Sequence, residues 1–255
     1  IYIMNLESIK ILKNIPLVTN KQLLSKKIIN GFFPLLQNAL KSWEKYYEKK
    51  ALLLEINYNV KKSYFDGYMY ILNEIREKVN SGCYCCYFDI VLNDRNYRIT
   101  LCLPVEKTEN TDTLNNIEKF FFNSLFRIYL WLHIVQPHIK NKCGNILHIN
   151  ILFSGIKKKI EENEILDRKH ANSAFTTSCR EEVSICIYRL EEWFKVFVHE
   201  TFHCLGLDFS HMDNDIAESM IFSIFQVENK NGLRIYESYC EAWAEMINII
   251  IISFL

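Results

Sequence analysis

Apolar and polar positions alternate along two neighbouring stretches in the middle of the chain, and this alternation predicts a β-hairpin. Residues 84–92 and 97–103 are rich in aromatic and β-branched side chains, a composition typical of strands. Between them lies the polar run Asn93-Asp94-Arg95-Asn96, whose residue types favour a tight turn. The pattern therefore places the start of a sheet near residue 84.

The rest of the chain follows one of two periods. Alternation predicts strands at residues 146–153 and 183–188. Apolar residues three and four positions apart predict helices at residues 35–49, 64–79, 112–135, about 190–205 and about 234–255. Residues 163–178 show neither period and are expected to form a loop. Together these elements predict an α+β fold: a helical N-terminal subdomain over residues 1–80, then a small mixed sheet with its helices over residues 81–255.

The composition argues against some classes of partner. The 255 residues carry 30 Lys and Arg against 30 Asp and Glu, and 49% of them are apolar. A chain of this length and apolar content can bury a core. Its zero formal charge argues against nucleic acid, because that binding depends on clustered Lys and Arg. The apolar run at residues 247–255 is too short to cross a bilayer, so no membrane span is expected.

One helix-spaced motif carries candidate chemistry, the run His199-Glu200-Thr201-Phe202-His203. Side chains four residues apart on a helix lie on one face, about 5–6 Å apart. Both imidazoles can therefore bind one Zn²⁺ through bonds of roughly 2.0–2.1 Å. Glu200 can act as the general base toward a water molecule that the ion activates. The motif predicts one catalytic zinc ion and hydrolysis of a peptide or protein substrate.

A catalytic zinc site needs a third protein ligand, and the last predicted helix offers an acidic stripe. Glu237, Glu241 and Glu245 recur every four residues and so share one helix face. Their neighbours are mostly apolar, which predicts a largely buried helix. Like charges at this spacing repel one another unless a cation lies between them. A zinc ion with two neutral histidine ligands would be such a cation.

The motif at residues 199–203 and the segment Glu241-Ala242-Trp243-Ala244-Glu245 together resemble the two signature motifs of gluzincin zinc metallopeptidases. The resemblance implies a zincin-like fold with Glu241 as the third zinc ligand. It also implies that Glu245 and Glu237 are acidic neighbours able to orient a ligating histidine. Residues 172–176 and 191–200 also resemble metallopeptidase-like proteins of large DNA viruses.

Two alternatives keep a metal but change its use. Gly206 follows His203 by three residues, which resembles the extended motif of metzincin peptidases, although that family's third ligand would fall on Phe209 here. Asp208 lies one residue before that position and His211 two residues after it, so either would need a shifted turn to reach the ion. The other alternative is a non-catalytic zincin scaffold that binds a peptide or protein partner.

The predicted order of hairpin, helix, two strands and zinc helix resembles the upper subdomain of zincins. That order implies that the strand before the zinc helix is an exposed edge, able to pair with an extended peptide substrate. Its pairing residues would be Ser184, Ile185, Cys186 and Ile187. A side chain that stabilises the developing oxyanion is also expected. The candidates by proximity are Tyr236, Tyr239, His211 and Arg234.

The nine cysteines cannot all pair within the chain, and their spacing predicts no disulfide framework. Cys83, Cys85 and Cys86 lie in a strand-like run with no second ligand pair at matching spacing, so buried free thiols are expected. Free thiols favour a reducing, cytoplasmic compartment, and residues 1–20 show no signal peptide. The chain begins at Ile1, which is compatible with a truncated N-terminus.

Overall fold

The computed structural model describes residues 21–50, 54–58, 71–140, 142–159, 172–225 and 234–255. Within these ranges the chain forms six α-helices and one six-stranded sheet. The strands are β1 (Ile56–Tyr58), β2 (Tyr84–Leu92), β3 (Arg95–Leu103), β4 (Ile146–Leu152), β5 (Ala174–Thr176) and β6 (Glu182–Ile187). The helices are α1 (Lys21–Lys50), α2 (Asn73–Asn80), α3 (Thr111–Val135), α4 (Trp193–Cys204), α5 (Asp215–Phe225) and α6 (Ile235–Phe254). This mixed architecture agrees with the predicted α+β class.

The sheet has the strand order β1-β2-β3-β4-β6-β5 and is mixed. The three central strands β3, β4 and β6 run parallel, and the pairs at both ends are antiparallel. The β2–β3 pair confirms the predicted hairpin. Asn93 and Asp94 have φ angles of 44° and 67°, and two left-handed residues give the turn whose twist matches paired strands. The second strand begins at Arg95, two residues earlier than predicted.

Side chains of successive residues in β2 enter two different cores on the two faces of the sheet. Tyr84 and Cys86 belong to the larger core, together with residues of α1, α3, α4 and α6. Cys85, and Cys83 just before β2, belong to the smaller core, which α2 covers with Ile75 and other apolar residues. Strand side chains alternate between the two faces of a sheet. The buried residues of this segment therefore pack under helices on both faces.

The described residues of the N-terminal part include a strand and pack into the larger core of the sheet. Strand β1 lies within it and pairs with β2. Leu36 and Trp43 of α1 pack in the same core as α3, and the Trp43 and Tyr129 ring centroids lie 5.0 Å apart. The boundary predicted at residue 80 therefore does not separate two cores. Residues 1–20 and 64–70 of the predicted subdomain lie outside the described residues.

The expectation that the strand before the histidine motif is a sheet edge is wrong for the described residues. The strand is β6, and it lies between β4 and β5. Ile185, Cys186 and Ile187 pair with the three residues of β5, while Ser184 pairs with His148 of β4. The main chain of β6 is thus used within the sheet, and β5 forms the edge. Only three residues long, β5 falls in the stretch predicted to be a loop.

Two cysteine pairs also depart from the expectation of free thiols. Cys85 is bonded to Cys102 across the β2–β3 hairpin, and Cys143 is bonded to Cys179. The free cysteines among the described residues are all buried: Cys83, Cys86, Cys186, Cys204 and Cys240.

None of the described helices combines the length and the apolar character that crossing a bilayer requires.

Candidate metal centre

Helix α4 carries the histidine motif and is fixed by its apolar face. Phe197, Val198 and Thr201 are fully buried. Trp131 of α3 donates a hydrogen bond from Nε1 to Thr201 Oγ1 over 2.8 Å. The helix begins after Glu192, which has a left-handed φ of 57°. Its start lies a few residues later than the predicted one, but the buried face sets the rotation of the motif.

The opposite face of α4 meets α6 through matched charges. Lys195, His199 and His203 follow one another at intervals of four residues, so they form a single stripe. The stripe faces the acidic residues of α6 in reverse order. Lys195 contacts Glu245 and Glu241, His199 contacts Glu241 and Glu237, and His203 contacts Glu237. The two helices therefore run antiparallel with one set of charges aligned against the other.

Three potential ligand atoms converge where the two helices meet. His199 Nε2 lies 3.1 Å from His203 Nε2, and Glu237 Oε2 lies 3.3 Å from each of them. A tetrahedral zinc ion with bonds of about 2.0–2.1 Å holds its ligand atoms about 3.3–3.4 Å apart. The three atoms already have nearly that spacing. The side chains are 17–39% exposed, so the cluster is accessible from solvent.

Each histidine also faces a carboxylate with its other ring nitrogen. His203 Nδ1 lies 2.6 Å from Asp208 Oδ2. His199 Nδ1 lies 3.1 Å from Glu241 Oε2, an ion-pair distance, although the direction does not satisfy hydrogen-bond geometry. Carboxylates in this position favour the tautomer that carries its proton on Nδ1 and leave Nε2 free to bind a metal. Both imidazoles thus have a carboxylate near Nδ1 and place Nε2 at the same point.

Lys195 fixes the second of these carboxylates. Its buried ammonium donates a hydrogen bond to Glu241 Oε1 over 2.7 Å and lies 3.4 Å from both Glu192 and Glu245. Burial opposes the charge on Lys195, but the contact with Glu241 and the nearby acids outweigh it and raise its pKa. Contacts with His199 and with Lys195 in turn hold the pKa of Glu241 at about 2.

The acidic residues of α6 meet the histidines in a different order from the predicted one. Glu241 was predicted to be the third ligand, but its two oxygens face Lys195 and His199 Nδ1 rather than the pair of Nε2 atoms. Glu237, predicted to be an orienting neighbour, lies at that pair instead. Glu245 contacts Lys195 and neither histidine among the described contacts. The carboxylate at the two Nε2 atoms is thus that of Glu237, one helical turn before Glu241, and Glu241 follows it at Nδ1 of His199.

The ligands of the metzincin-like alternative are placed elsewhere. Asp208 is buried and directs its Oδ2 to His203 Nδ1 and its Oδ1 to the hydroxyl group of Ser210. His211 Nε2 accepts a hydrogen bond from Lys140 Nζ over 3.2 Å. Neither side chain lies at the pair of Nε2 atoms, and Asp208 orients a histidine instead.

Glu200 lies beside the cluster and lines the same cleft. Burial raises the pKa of its carboxyl group, and the negative charge of Glu237 adds to the rise, whereas His199 and His203 oppose it. For His199 burial opposes the charged form, but Glu241, Glu200 and Glu237 outweigh it and raise the imidazole pKa. A carboxyl group with a raised pKa is suited to take up and release a proton during a reaction.

A cleft with a volume of about 900 Å³ opens over these groups. One wall is the edge strand β5, and the end of α4 and the start of α6 form the others. Among the side chains predicted to stabilise an oxyanion, Tyr236, His211 and Arg234 line this cleft. Tyr239 does not, because it packs against Phe202 and Phe209.

Sequence reasoning missed Lys195 and the role of Asp208. A signal for Lys195 was present, since it lies four residues before His199 in an apolar run. A lysine on the same face as two candidate ligands must itself find an acid when that face is buried. No comparable signal identifies Asp208, because its approach to His203 depends on the turn at Gly206, whose φ is 68°.

Comparison of the chain with protein-family models, curated protein sequences and solved structures found no match. The chemistry of this centre is therefore inferred from its residues and their geometry.

Proposed function

We propose that the chain is a zinc-dependent peptidase of zincin-like architecture. In this proposal His199, His203 and Glu237 hold one zinc ion and Glu200 is the general base. The observation that supports it most is the cluster of three ligand atoms, spaced 3.1–3.3 Å apart beside Glu200 in one cleft.

The contacts of the cluster suit a bound cation. With each neutral imidazole protonated at Nδ1, toward Asp208 and Glu241, both Nε2 lone pairs face each other across 3.1 Å. Glu237 directs a carboxylate oxygen at the same point. Three electron-rich atoms this close repel one another unless a cation lies among them. Two nitrogens and one carboxylate oxygen form a common ligand set of catalytic zinc.

The residues around the cluster can carry out hydrolysis. A bound zinc ion supplies a Lewis acid that polarises a carbonyl group and lowers the pKa of a water molecule. Glu200 takes the proton of the attacking water and delivers it to the leaving amine. Tyr236, whose ring contacts that of His203, and Arg234, which lies 3.9 Å from Glu237, can donate to the developing oxyanion.

The edge strand β5 offers a place for the substrate main chain. Ala174, Phe175 and Thr176 line the cleft, and only β6 pairs with β5 among the described residues. An extended peptide can add to such an edge through main-chain hydrogen bonds. The substrate strand is thus shifted from the predicted β6 to its neighbour β5.

A non-catalytic scaffold that binds a peptide would use the same three ligands. Glu200 favours the peptidase, because a structural ion gains nothing from a general base at that position. The two functions differ in one measurable property, which is cleavage of a bound peptide.

The test is zinc-dependent cleavage of an unbiased peptide library by the purified, zinc-loaded chain, with and without a chelator. Glu200→Gln should keep one zinc ion per chain and lower kcat at least about 100-fold. Glu181→Gln, an exposed site outside the cleft, is the matched control and should leave both unchanged. A wild-type chain that binds zinc without cleaving any peptide would favour the scaffold. Undiminished turnover by Glu200→Gln would show that Glu200 is not the general base.

A further inference from the structure

An apolar cavity with a volume of about 650 Å³ adjoins the cleft. Aromatic side chains of α3, α4, α6 and the turn after α4 form much of its wall: Trp131, Phe202, Phe209, Tyr239 and Trp243. Lys140, Gly206 and Asp208 line both this cavity and the cleft. The two spaces therefore meet at these three residues, next to the turn that ends the helix of the metal centre.

A lysine and a histidine lie next to each other here, and neither has an acidic partner among the described residues. Lys140 Nζ donates a hydrogen bond to His211 Nε2 over 3.2 Å, and no carboxylate of the described residues forms an ion pair with either side chain. Asp208 directs its oxygens to His203 and Ser210. An ammonium group has three donors, so Lys140 retains N–H groups for an anion.

The cleft carries charged side chains of both signs, with Arg234 beside Glu237 and Asp208 beside Lys140 at the junction. The acids Glu200 and Glu237 lie at the histidine cluster, where a zinc ion would offset them. Lys140 lines both the cleft and the apolar cavity, and His211, its hydrogen-bond partner, lines the cleft beside it. A ligand that occupies the junction therefore meets an apolar pocket beside a cation, with the metal centre in the same cleft.

We propose that the substrates are peptides that end in a large apolar residue with a free α-carboxylate. Lys140 and His211 bind this carboxylate, and the apolar cavity receives the last side chain. A C-terminal residue joins a carboxylate and a side chain at one Cα, which matches the adjacency of cation and cavity. This inference rests on the proposed peptidase function and names its substrate class.

The experiment compares four matched peptides with the zinc-loaded chain. One ends in Phe as the free acid, one in Phe as the amide, one in Gly as the free acid, and one is amidated with Asp as its last residue. The enzymes are the wild type, Lys140→Met, which keeps the aliphatic stem, and Lys142→Met. Lys142 is exposed and lines neither cavity, so it controls for loss of surface charge.

The free acid ending in Phe should be the best substrate. Amidation and Lys140→Met should each lower kcat/KM about tenfold, the size expected for a charge-assisted hydrogen bond. Because both remove the same contact, the two changes together should lower it no further. Lys142→Met should match the wild type, and all three proteins should bind one zinc ion. The Gly peptide should be cleaved more slowly, since it leaves the cavity empty.

Three results would overturn this inference and leave the peptidase in place. The first is an equal kcat/KM for the free acid and the amide that end in Phe. The second is that the losses of kcat/KM from amidation and from Lys140→Met add. The third is an amidated Asp peptide cleaved as well as the free acid, which would show that a side-chain carboxylate is bound. If the zinc-loaded wild type cleaves a peptide library but shows no preference among C-terminal residues, the cavity is not used. If it cleaves no peptide at all, the proposed function fails, and the inference fails with it.

Discussion

Replacing Glu237 by Gln tests which carboxylate completes the metal centre. The substitution keeps the size of the side chain and removes the charge of the oxygen that lies 3.3 Å from both Nε2 atoms. The neighbouring glutamates on the same helix face provide matched controls. Glu241 contacts His199 only at Nδ1, and Glu245 contacts Lys195.

The expected losses follow from these positions. Loss of a carboxylate that orients a ligating histidine lowers metal affinity about 10–100-fold, which is the range expected for Glu241→Gln. Loss of a direct ligand should exceed it, so Glu237→Gln should weaken zinc binding more than about 100-fold. A factor of 100 removes about 2.7 kcal/mol of zinc-linked stability. For a chain of this size that corresponds to roughly 5–11 °C of the zinc-induced rise in Tm.

The assay measures zinc affinity by competition with a chromophoric chelator and Tm with and without zinc. The predicted order of loss is Glu237→Gln, then Glu241→Gln, with Glu245→Gln close to the wild type. Far-UV circular dichroism of the zinc-free variants shows whether each is folded. A larger loss of zinc affinity for Glu241→Gln than for Glu237→Gln would restore Glu241 as the ligand. Equal small losses for all three would remove α6 from the metal centre.

Other parts of the structure give further predictions. Gly206→Ala should lower the free energy of unfolding by about 2 kcal/mol, because φ is 68° and the new Cβ would lie 2.8 Å from Cys143 Sγ. Urea denaturation measures this change, and an unchanged urea midpoint would contradict the left-handed turn at Gly206. Reducing the Cys143–Cys179 disulfide, whose partners are 36 residues apart, should lower the free energy of unfolding by about 4 kcal/mol in the loop-entropy treatment. A Cys179→Ser variant with an unchanged free energy of unfolding would show that the disulfide does not form. Because contact with His199 holds the pKa of Glu241 at about 2, its charged form stabilises the zinc-free fold above the ordinary pKa near 4.5, and this stabilisation is lost as the pH falls toward 2. The difference in unfolding free energy between wild type and Glu241→Gln should therefore shrink from pH 6 to pH 3, and a constant difference would contradict the pairing.

The local parts of the fold could be predicted from the sequence. The hairpin follows from alternation on both sides of Asn93-Asp94, and the two imidazoles share a face because they are four residues apart. These features depend on residues close in the chain, where strand and helix periods decide which side chains lie together. The edge strand β5 could not be predicted, because its three residues are too few to show a period.

The choice of the third ligand depends on how far α6 is shifted along α4. The sequence shows that Glu237, Glu241 and Glu245 share a face, but each would reach a ligand on α4 at a different shift. The observed shift places Glu241 and Glu245 at the buried ammonium of Lys195 and Glu237 at the two histidine Nε2 atoms. The sequence prediction did not include the contacts of Lys195, and it favoured Glu241, one helical turn after Glu237.

The most direct test of the metal centre is anomalous diffraction at the zinc absorption edge from crystals of the zinc-loaded chain. We expect one strong peak within about 2.0–2.2 Å of Nε2 of His199, Nε2 of His203 and a carboxylate oxygen of Glu237. The absence of a peak between the two imidazoles, or a peak bound by Glu241, Asp208 or His211 in place of Glu237, would contradict the proposed centre.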